Sequence, residues 1–324
     1  MTVVIRTLVA FVSCAALLLA APAGAPAFPD KPVQFLVGFS PGGPTDLSAR
    51  AIAKVAPKHL GGQMVVVNLP GAASTVALAE LARREPDGHT IALMMTSYRA
   101  LVVHQQKLVF DPKVLKPLLG YAEFRQLLFV KGDFPHAKAG EFLAWGRKNP
   151  GAIKFAHSGR GTSIHLQGLL FFREARIDAP DVPYRGSGEY VQAVLGGHVT
   201  AGVIDIGGVK AHFPTGALRP VVAFVDERFK ELPEVPTAKE IGIGGLSVFN
   251  PLVAAVVHRD TPADRLKKLH DALRKTAEDP EFLKALDTMG LKGGYMPPEV
   301  VEDTIARAEA RAVPVLRDLK LLVE

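Results

Sequence analysis

The sequence predicts an α/β fold built on doubly wound parallel sheet, and three observations carry that expectation. The apolar run at 33–39 stops at Pro41, Gly42, Gly43 and Pro44, after which Leu47, Ala51, Ile52 and Val55 recur at helical spacing. The run MVVVN at 64–68 repeats the scheme through a loop at 69–74 and a helix carrying Val76, Ala79, Leu81 and Ala82. A third strand follows at 90–95 after the turn Pro86-Asp87-Gly88. Such a β-α-β-α-β run folds most simply into parallel strands joined by crossover helices.

Two adjacent glycines at the first strand-to-helix turn allow φ angles and close approaches that a Cβ forbids. The N–H groups of the first helical turn lack intrahelical partners and sit at the positive end of the helix dipole, which makes an anion seat. The alternative is an ordinary turn that starts a helix, with Thr45 or Asp46 as its cap. Thr96, Ser97 and Tyr98 stand just past the third strand's carboxyl end. Ligand crevices of open parallel sheets lie at such ends, so loops 40–46, 69–75 and 96–99 are expected to share a rim.

The chain has 324 residues, enough for one large or two ordinary domains. Residues 1–27 read as a cleaved secretory signal: Arg6 is the lone charge, 7–20 is almost entirely apolar, and Ala25-Pro26-Ala27 is a small-residue cleavage site. A transmembrane anchor needs about 20 apolar residues and the run has roughly 14. The only cysteine, Cys14, leaves with the signal, so the mature chain is expected to have no disulfide and no thiolate metal site. Loss of Arg6 takes the 38 basic residues to 37 against 32 acidic ones. An excess that small and that scattered favours small anions over nucleic acid.

From residue 110 the texture changes at Asp111-Pro112 and Lys116-Pro117, read as a linker. A strand is expected at 126–130 and a helix at 138–148. A further strand at 153–156 runs into His157-Ser158-Gly159-Arg160-Gly161-Thr162-Ser163, which opens a helix at 164–172. This second glycine and hydroxyl loop copies the first, so two anion seats would face each other across a cleft. Residues 181–188 form a polar loop with Tyr184, Arg185, Gly186 and Ser187. Asp205 interrupts the apolar strand at 199–206 near its end, as a strand-end cap or a cleft residue. The stretch 248–257 carries the chain back to the first half, and the last helix shows an apolar stripe at Val301, Ile305, Ala308, Ala312, Leu316 and Leu319.

No phosphate loop, G-x-S-x-G elbow or H-E-x-x-H motif occurs, so no metal, cofactor or catalytic set is expected. An exported hydrolase using Ser158 with His157 or His165 is the rival from another class, weakened by the lack of a carboxylate in the motif to orient either histidine.

In the order of its short motifs the chain resembles the Bug/TctC family of periplasmic solute-binding proteins, the receptors of tripartite tricarboxylate transporters. The resemblance rests on Phe28-Pro29-Asp30-Lys31-Pro32, PGGPTDLSAR at 41–50, Asn68 with Pro70-Gly71-Ala72, and Pro86-Asp87-Gly88-His89-Thr90. It continues through Asn149-Pro150-Gly151, Ser158-Gly159-Arg160-Gly161-Thr162, Val182-Pro183-Tyr184-Arg185-Gly186 and Leu232-Pro233-Glu234-Val235-Pro236-Thr237. It implies a two-lobed, Venus-flytrap periplasmic-binding-protein fold, each lobe a largely parallel sheet flanked by helices, with lobe 1 at 28–122 and 250–324 and lobe 2 at 123–249.

The resemblance further implies a periplasmic monomer that holds a small organic acid between the lobes, largely through backbone N–H groups, hydroxyls and water. Carried onto this chain, the ligand-binding residues are Phe39, Ser40, Pro41, Gly42, Gly43, Thr45, Asp46, Thr96, Ser97, Tyr98, Ser158, Gly161, Thr162, Ser163, Tyr184, Arg185, Gly186, Ser187 and Asp205. Arg185 is a bidentate clamp or a solvated loop arginine. The expected partner is a membrane transporter, or alternatively a membrane sensor. The chain departs from the family at Leu69, where arginine is usual, and at Ala73, where glycine is usual; both border the rim and bear on which acid is bound.

Overall fold

The computed structural model describes residues 28–184 and 186–323; the signal expected at 1–27 and Arg185 lie outside the described residues. The first sheet begins with the parallel strands the sequence predicts. β1 (Val33–Val37) pairs with β2 (Met64–Asn68) on one side and β3 (Thr90–Met95) on the other. Helices α1 (Pro44–Val55) and α2 (Thr75–Arg83) supply the crossovers, and a short helix α3 (Thr96–Ala100) follows β3 directly. The expected loop at Thr96 to Tyr98 is therefore the first turn of a helix.

The sheets are mixed rather than largely parallel. β4 (Leu115–Glu123), β10 (Leu252–His258) and β11 (Lys292–Met296) complete the first sheet, β4 antiparallel to β10 and β11 and β10 antiparallel to β3, in the order β11-β4-β10-β3-β1-β2. Lys116-Pro117, expected in a linker, lies inside β4, although proline is normally confined to sheet edges and bulges. Here the register of β4 against β10 shifts beside that proline, between Ala255 and Val256. The KGGYM of β11 has little strand propensity of its own and is held by its pairing with β4.

The second sheet runs β7 (Asp181–Pro183), β6 (Phe155–His157), β8 (Ala201–Asp205), β5 (Gln126–Lys131), β9 (Leu218–Ala223). β6 is parallel to β7 and β8, whereas β5 is antiparallel to β8 and β9. Helices α4 (Ala139–Lys148), α5 (Ser163–Glu174) and α6 (Ser187–Leu195) flank it.

After β10 the chain adds α7 (Ala263–Glu278), α8 (Pro280–Thr288) and the long α9 (Pro298–Asp318). The stripe on α9 is buried at Val301, Ile305, Ala308, Ala312 and Leu316, but it serves two cores. Val301 and Ile305 pack with the α2 side of the first sheet, while Ala308, Ala312 and Leu316 pack among Leu166, Phe171 and Phe224 of the second. One amphipathic helix thus ties the two halves together, which its uniform spacing does not reveal. Among the described residues no helix is long and apolar enough to cross a membrane.

Candidate ligand cleft

The parallel strands of both sheets end on loops that start helices. In the first half Gly42 takes a left-handed φ of +87° and Gly43 is the N-cap of α1, with Pro44 at its first position. Asp46 does not point outward. Its side chain is buried and accepts hydrogen bonds from the Gly42 N–H (2.8 Å), Arg50 Nε (2.9 Å) and Asn68 Nδ2 (2.8 Å). Burial pushes this carboxyl up, but the bonds from Arg50, Gly42 and Asn68 outweigh it and hold it below the usual range. So the helix start is braced from within, and the Gly42 N–H is spent on that brace. Gly43, Thr45 and Asp46 keep the N–H groups that open the helix. Phe39, half-buried, offers its carbonyl to Asn68 Nδ2 (3.0 Å), and Ser40 and Pro41 are exposed.

The loop before α2 is strained. Ala72, Ala73 and Ser74 have φ of +45°, +51° and +82°, three successive non-glycine residues in a region that costs each about 1–2 kcal/mol. It is pressed against the first loop: a Cβ on Gly38 would lie 2.5 Å from the Ser74 Cα. The Ser74 hydroxyl is buried and has no partner among the described residues. Because Ala73 stands where a glycine would be at ease, Ala73→Gly is expected to raise stability by about 1 kcal/mol, read as a higher urea midpoint with unchanged slope.

Thr96 and Tyr98 are both buried. Thr96 Oγ1 accepts from the Leu252 N–H (3.0 Å), so this hydroxyl oxygen fixes the start of β10. The Tyr98 hydroxyl lies beside Thr75, and burial raises its pKa. Ser97 is half-buried.

A short relay joins this rim to the second half. Gln106 donates to the Thr75 hydroxyl, and its neighbour Gln105 donates through Nε2 to the Gly161 carbonyl (3.0 Å). Gly161 has φ of +76°, and a Cβ there would lie 1.6 Å from Gln105 Oε1. The loops at 71–75 and 159–163 therefore sit at one junction between the halves. Gln105, Gln106, Ser74 and Thr75 were not among the expected site residues; the only sequence signal was that 69–75 follows a strand end.

In the second half Thr162 caps α5, its hydroxyl oxygen accepting the His165 N–H (3.3 Å) and its hydroxyl donating to the Gly159 carbonyl (2.7 Å). His157 Nδ1 accepts the Gly159 N–H (3.1 Å), and His165 Nδ1 accepts the Gly161 N–H (3.0 Å). Each ring therefore carries its proton on Nε2, and both Nε2 atoms face Asp181 Oδ2, at 3.2 and 3.9 Å. Burial lowers the pKa of both rings, that of His165 to about 4.

This geometry decides two questions. A carboxylate does orient the histidines, which the sequence motif alone did not provide. Yet neither ring has a free lone pair to act as base toward Ser158, since Nδ1 already accepts a backbone N–H and Nε2 is protonated. The same tautomers disfavour a cation at His157, His165 and Asp181, although their donor atoms lie within 4.8 Å of one another.

Ser163, buried in the first turn of α5, lies 3.5 Å from Gln126 Nε2, and Gln126 faces Asp205 across the β5–β8 ladder. Asp205 makes no capping bond to the turn that follows it, so the strand-end cap is ruled out. Its Oδ1 and the Oε1 of Gln126 are buried without a partner among the described residues. Burial pushes the Asp205 pKa up to about 7. Ser158 and Thr162 are half-buried beside this cluster in sequence. Tyr184 stands further along, its N–H bonded to the His157 carbonyl (2.9 Å), Gly186 is the N-cap of α6, and Ser187 is exposed.

Two α/β halves, joined by crossing strands and each with helices that start after its strand ends, make a two-lobed periplasmic-binding-protein fold. The chain belongs to the tripartite tricarboxylate transporter receptor family (TctC), whose sequence profile matches residues 48–321. It is 32% identical over 283 residues to the UPF0065 protein in the gbd 5′ region of Cupriavidus necator, covering 86% of this chain and 85% of that one. The solved periplasmic binding protein BugD superposes with a TM-score of 0.78 at 24% identity, over 92% of this chain and all of that one. MatC from Rhodopseudomonas palustris, solved with bound malate, has a TM-score of 0.73 at 27% identity, over 88% of this chain and all of that one.

Proposed function

We propose that this protein is a periplasmic receptor that captures a small organic acid between its lobes and delivers it to a membrane transporter of the tripartite tricarboxylate type. The lobes are residues 28–122 with 250–324, and 123–249, a division supported by which strands join which sheet. The observation that carries the reading is the pair of braced helix starts, at Gly43 and Thr162: the loop of the second is joined through Gly161, Gln105 and Gln106 to Thr75, whose neighbour Ser74 packs against Gly38 ahead of the first. The malate held by MatC supports a carboxylate as the guest.

Backbone N–H groups at two helix starts bind anions without any arginine cluster. Hydrogen bonds to a charged group contribute roughly 1.5–3 kcal/mol each. Four of them reach the roughly 8 kcal/mol of a micromolar site after ordering costs. Among the described residues neither His157 nor His165 keeps a free lone pair to act as a base toward Ser158, which supports a receptor rather than an enzyme.

Asp205 gives the reading a direction. Its carboxyl, raised to about 7, is half protonated near neutrality and donates to a guest carboxylate only in the acid form. Thermal-shift titration of the mature protein with malate and adipate is expected to show stabilisation by at least one of them and none by neutral sugars. The affinity should fall about tenfold from pH 6 to pH 8 and lose most of that dependence in Asp205→Asn. A response to sugars alone would overturn the carboxylate reading. Affinity that instead rises with pH would mean that Asp205 accepts a proton donor, such as an ammonium, from the guest.

A further inference from the structure

A cavity of about 1020 Å³ lies beside the hinge, between β11 and the first half of α9 on one side and the 225–231 segment after β9 on the other. The covalent crossing itself, Glu123-Phe124-Arg125, contributes to its wall. Phe124 is buried in the first core, and alternation along an extended segment turns Glu123 and Arg125 together to the opposite side.

Its polar groups are incompletely satisfied. Arg125 stacks on the Phe229 ring, 5.1 Å from the centroid, and reaches Glu231 through Nη2 (3.2 Å), while its Nε is buried and has no partner among the described residues. Glu123 is half-buried and has no hydrogen bond or ion pair among the described residues, although burial raises its pKa. Lys292 stands opposite Glu123 in the β4–β11 ladder and makes no ion pair there. Elsewhere on the wall Arg228 is paired with Glu240 and Arg307 with Asp303, and Asp226 accepts from the Ser247 hydroxyl.

The wall carries five acidic and five basic side chains, so it offers no net field to select a simple anion or cation. At the crossing an acceptor and donors stand side by side: Lys292 directly across the ladder from Glu123, and Arg125 about 7 Å from it along the strand. We propose that this cavity is a second small-molecule site for a zwitterion, whose ammonium meets Glu123 and whose carboxylate meets Lys292 and the accessible part of the Arg125 guanidinium. The guest class is an amino acid with separated charges, distinct from the acid held in the cleft.

Calorimetric titration of the mature protein with 6-aminohexanoate and 4-aminobutyrate tests this, with glutarate and cadaverine as controls carrying one sign of charge. One zwitterion is expected to bind one-to-one, and both controls to bind at least tenfold more weakly. Glu123→Gln and Lys292→Met should each weaken it at least tenfold. Lys292 is exposed, so its variant reports even if the Glu123 variant misfolds. Asp205→Asn should leave zwitterion binding intact, which separates this site from the cleft. Absence of zwitterion binding up to 10 mM, unaltered binding in Lys292→Met, or loss in Asp205→Asn alone would each overturn the proposal.

Discussion

Lowering the pH from about 6.5 to 4 is expected to cost the unliganded protein roughly 3 kcal/mol of stability through His165 alone. Burial is the main cause of its depressed pKa, with the neighbouring charge of His157 second and Asp181 acting in the opposite sense. A histidine whose folded pKa lies below its unfolded value stabilises the protein fully above about 6.5. That stability is lost as the unfolded chain takes up the proton that the folded one refuses. The structural consequence is local: a protonated Nδ1 cannot accept the Gly161 N–H, so the loop that opens α5 loses its brace.

Urea unfolding followed across this pH range checks the expectation. His165→Gln keeps an acceptor for the Gly161 N–H but cannot titrate, and should lose much less stability over the interval. An identical pH slope in wild type and variant would refute the assignment. The carboxyls of Asp46 and Asp181, held below their usual range, act in a separate window, at and below about pH 4. For Asp181, burial is outweighed by the hydrogen bond from His157 and the charge of Arg160.

Gly38→Ala is expected to lower stability by about 3 kcal/mol and to abolish organic-acid binding. A methyl group at Gly38 would lie 2.0 Å from the Ser74 hydroxyl and 2.5 Å from the Ser74 Cα. Rotating a side chain relieves the first clash but not the second, so the backbone of a loop already at positive φ must move. That loop holds Thr75, the first link of the relay to Gly161. Gly43→Ala is the control: the Cβ would have nothing nearer than the Ser40 carbonyl at 3.8 Å, and the φ of −76° suits alanine. Comparable melting temperatures in the two variants would show that the close approach of the loops does not matter.

Much of the fold was legible because its signals are local. The glycine loops, the strand ends that precede them and the helix starts that follow are written within some fifteen residues each, where turn chemistry and periodicity act directly. β4 and β11 were missed for the opposite reason: Pro117 and the paired glycines of β11 argue against strands locally and are overridden by pairing across the sheet. Helices do begin after both glycine loops, but which of the loop N–H groups are free and which engaged is not written in the sequence. Gly42, Gly159 and Gly161 each give their N–H to a side chain.

By itself the sequence determined that this is an α/β protein with hydroxyl and glycine loops at strand ends, since period and turn preference depend only on near neighbours. Only the tertiary structure decided that Asp46 turns inward, that Asp181 reaches two histidines from an edge strand, that Asp205 keeps an unpartnered oxygen, and that one helix serves both cores. Those outcomes depend on burial and on contacts between residues far apart in the chain, where the free energy of a charge or an N–H is set by what folding places beside it.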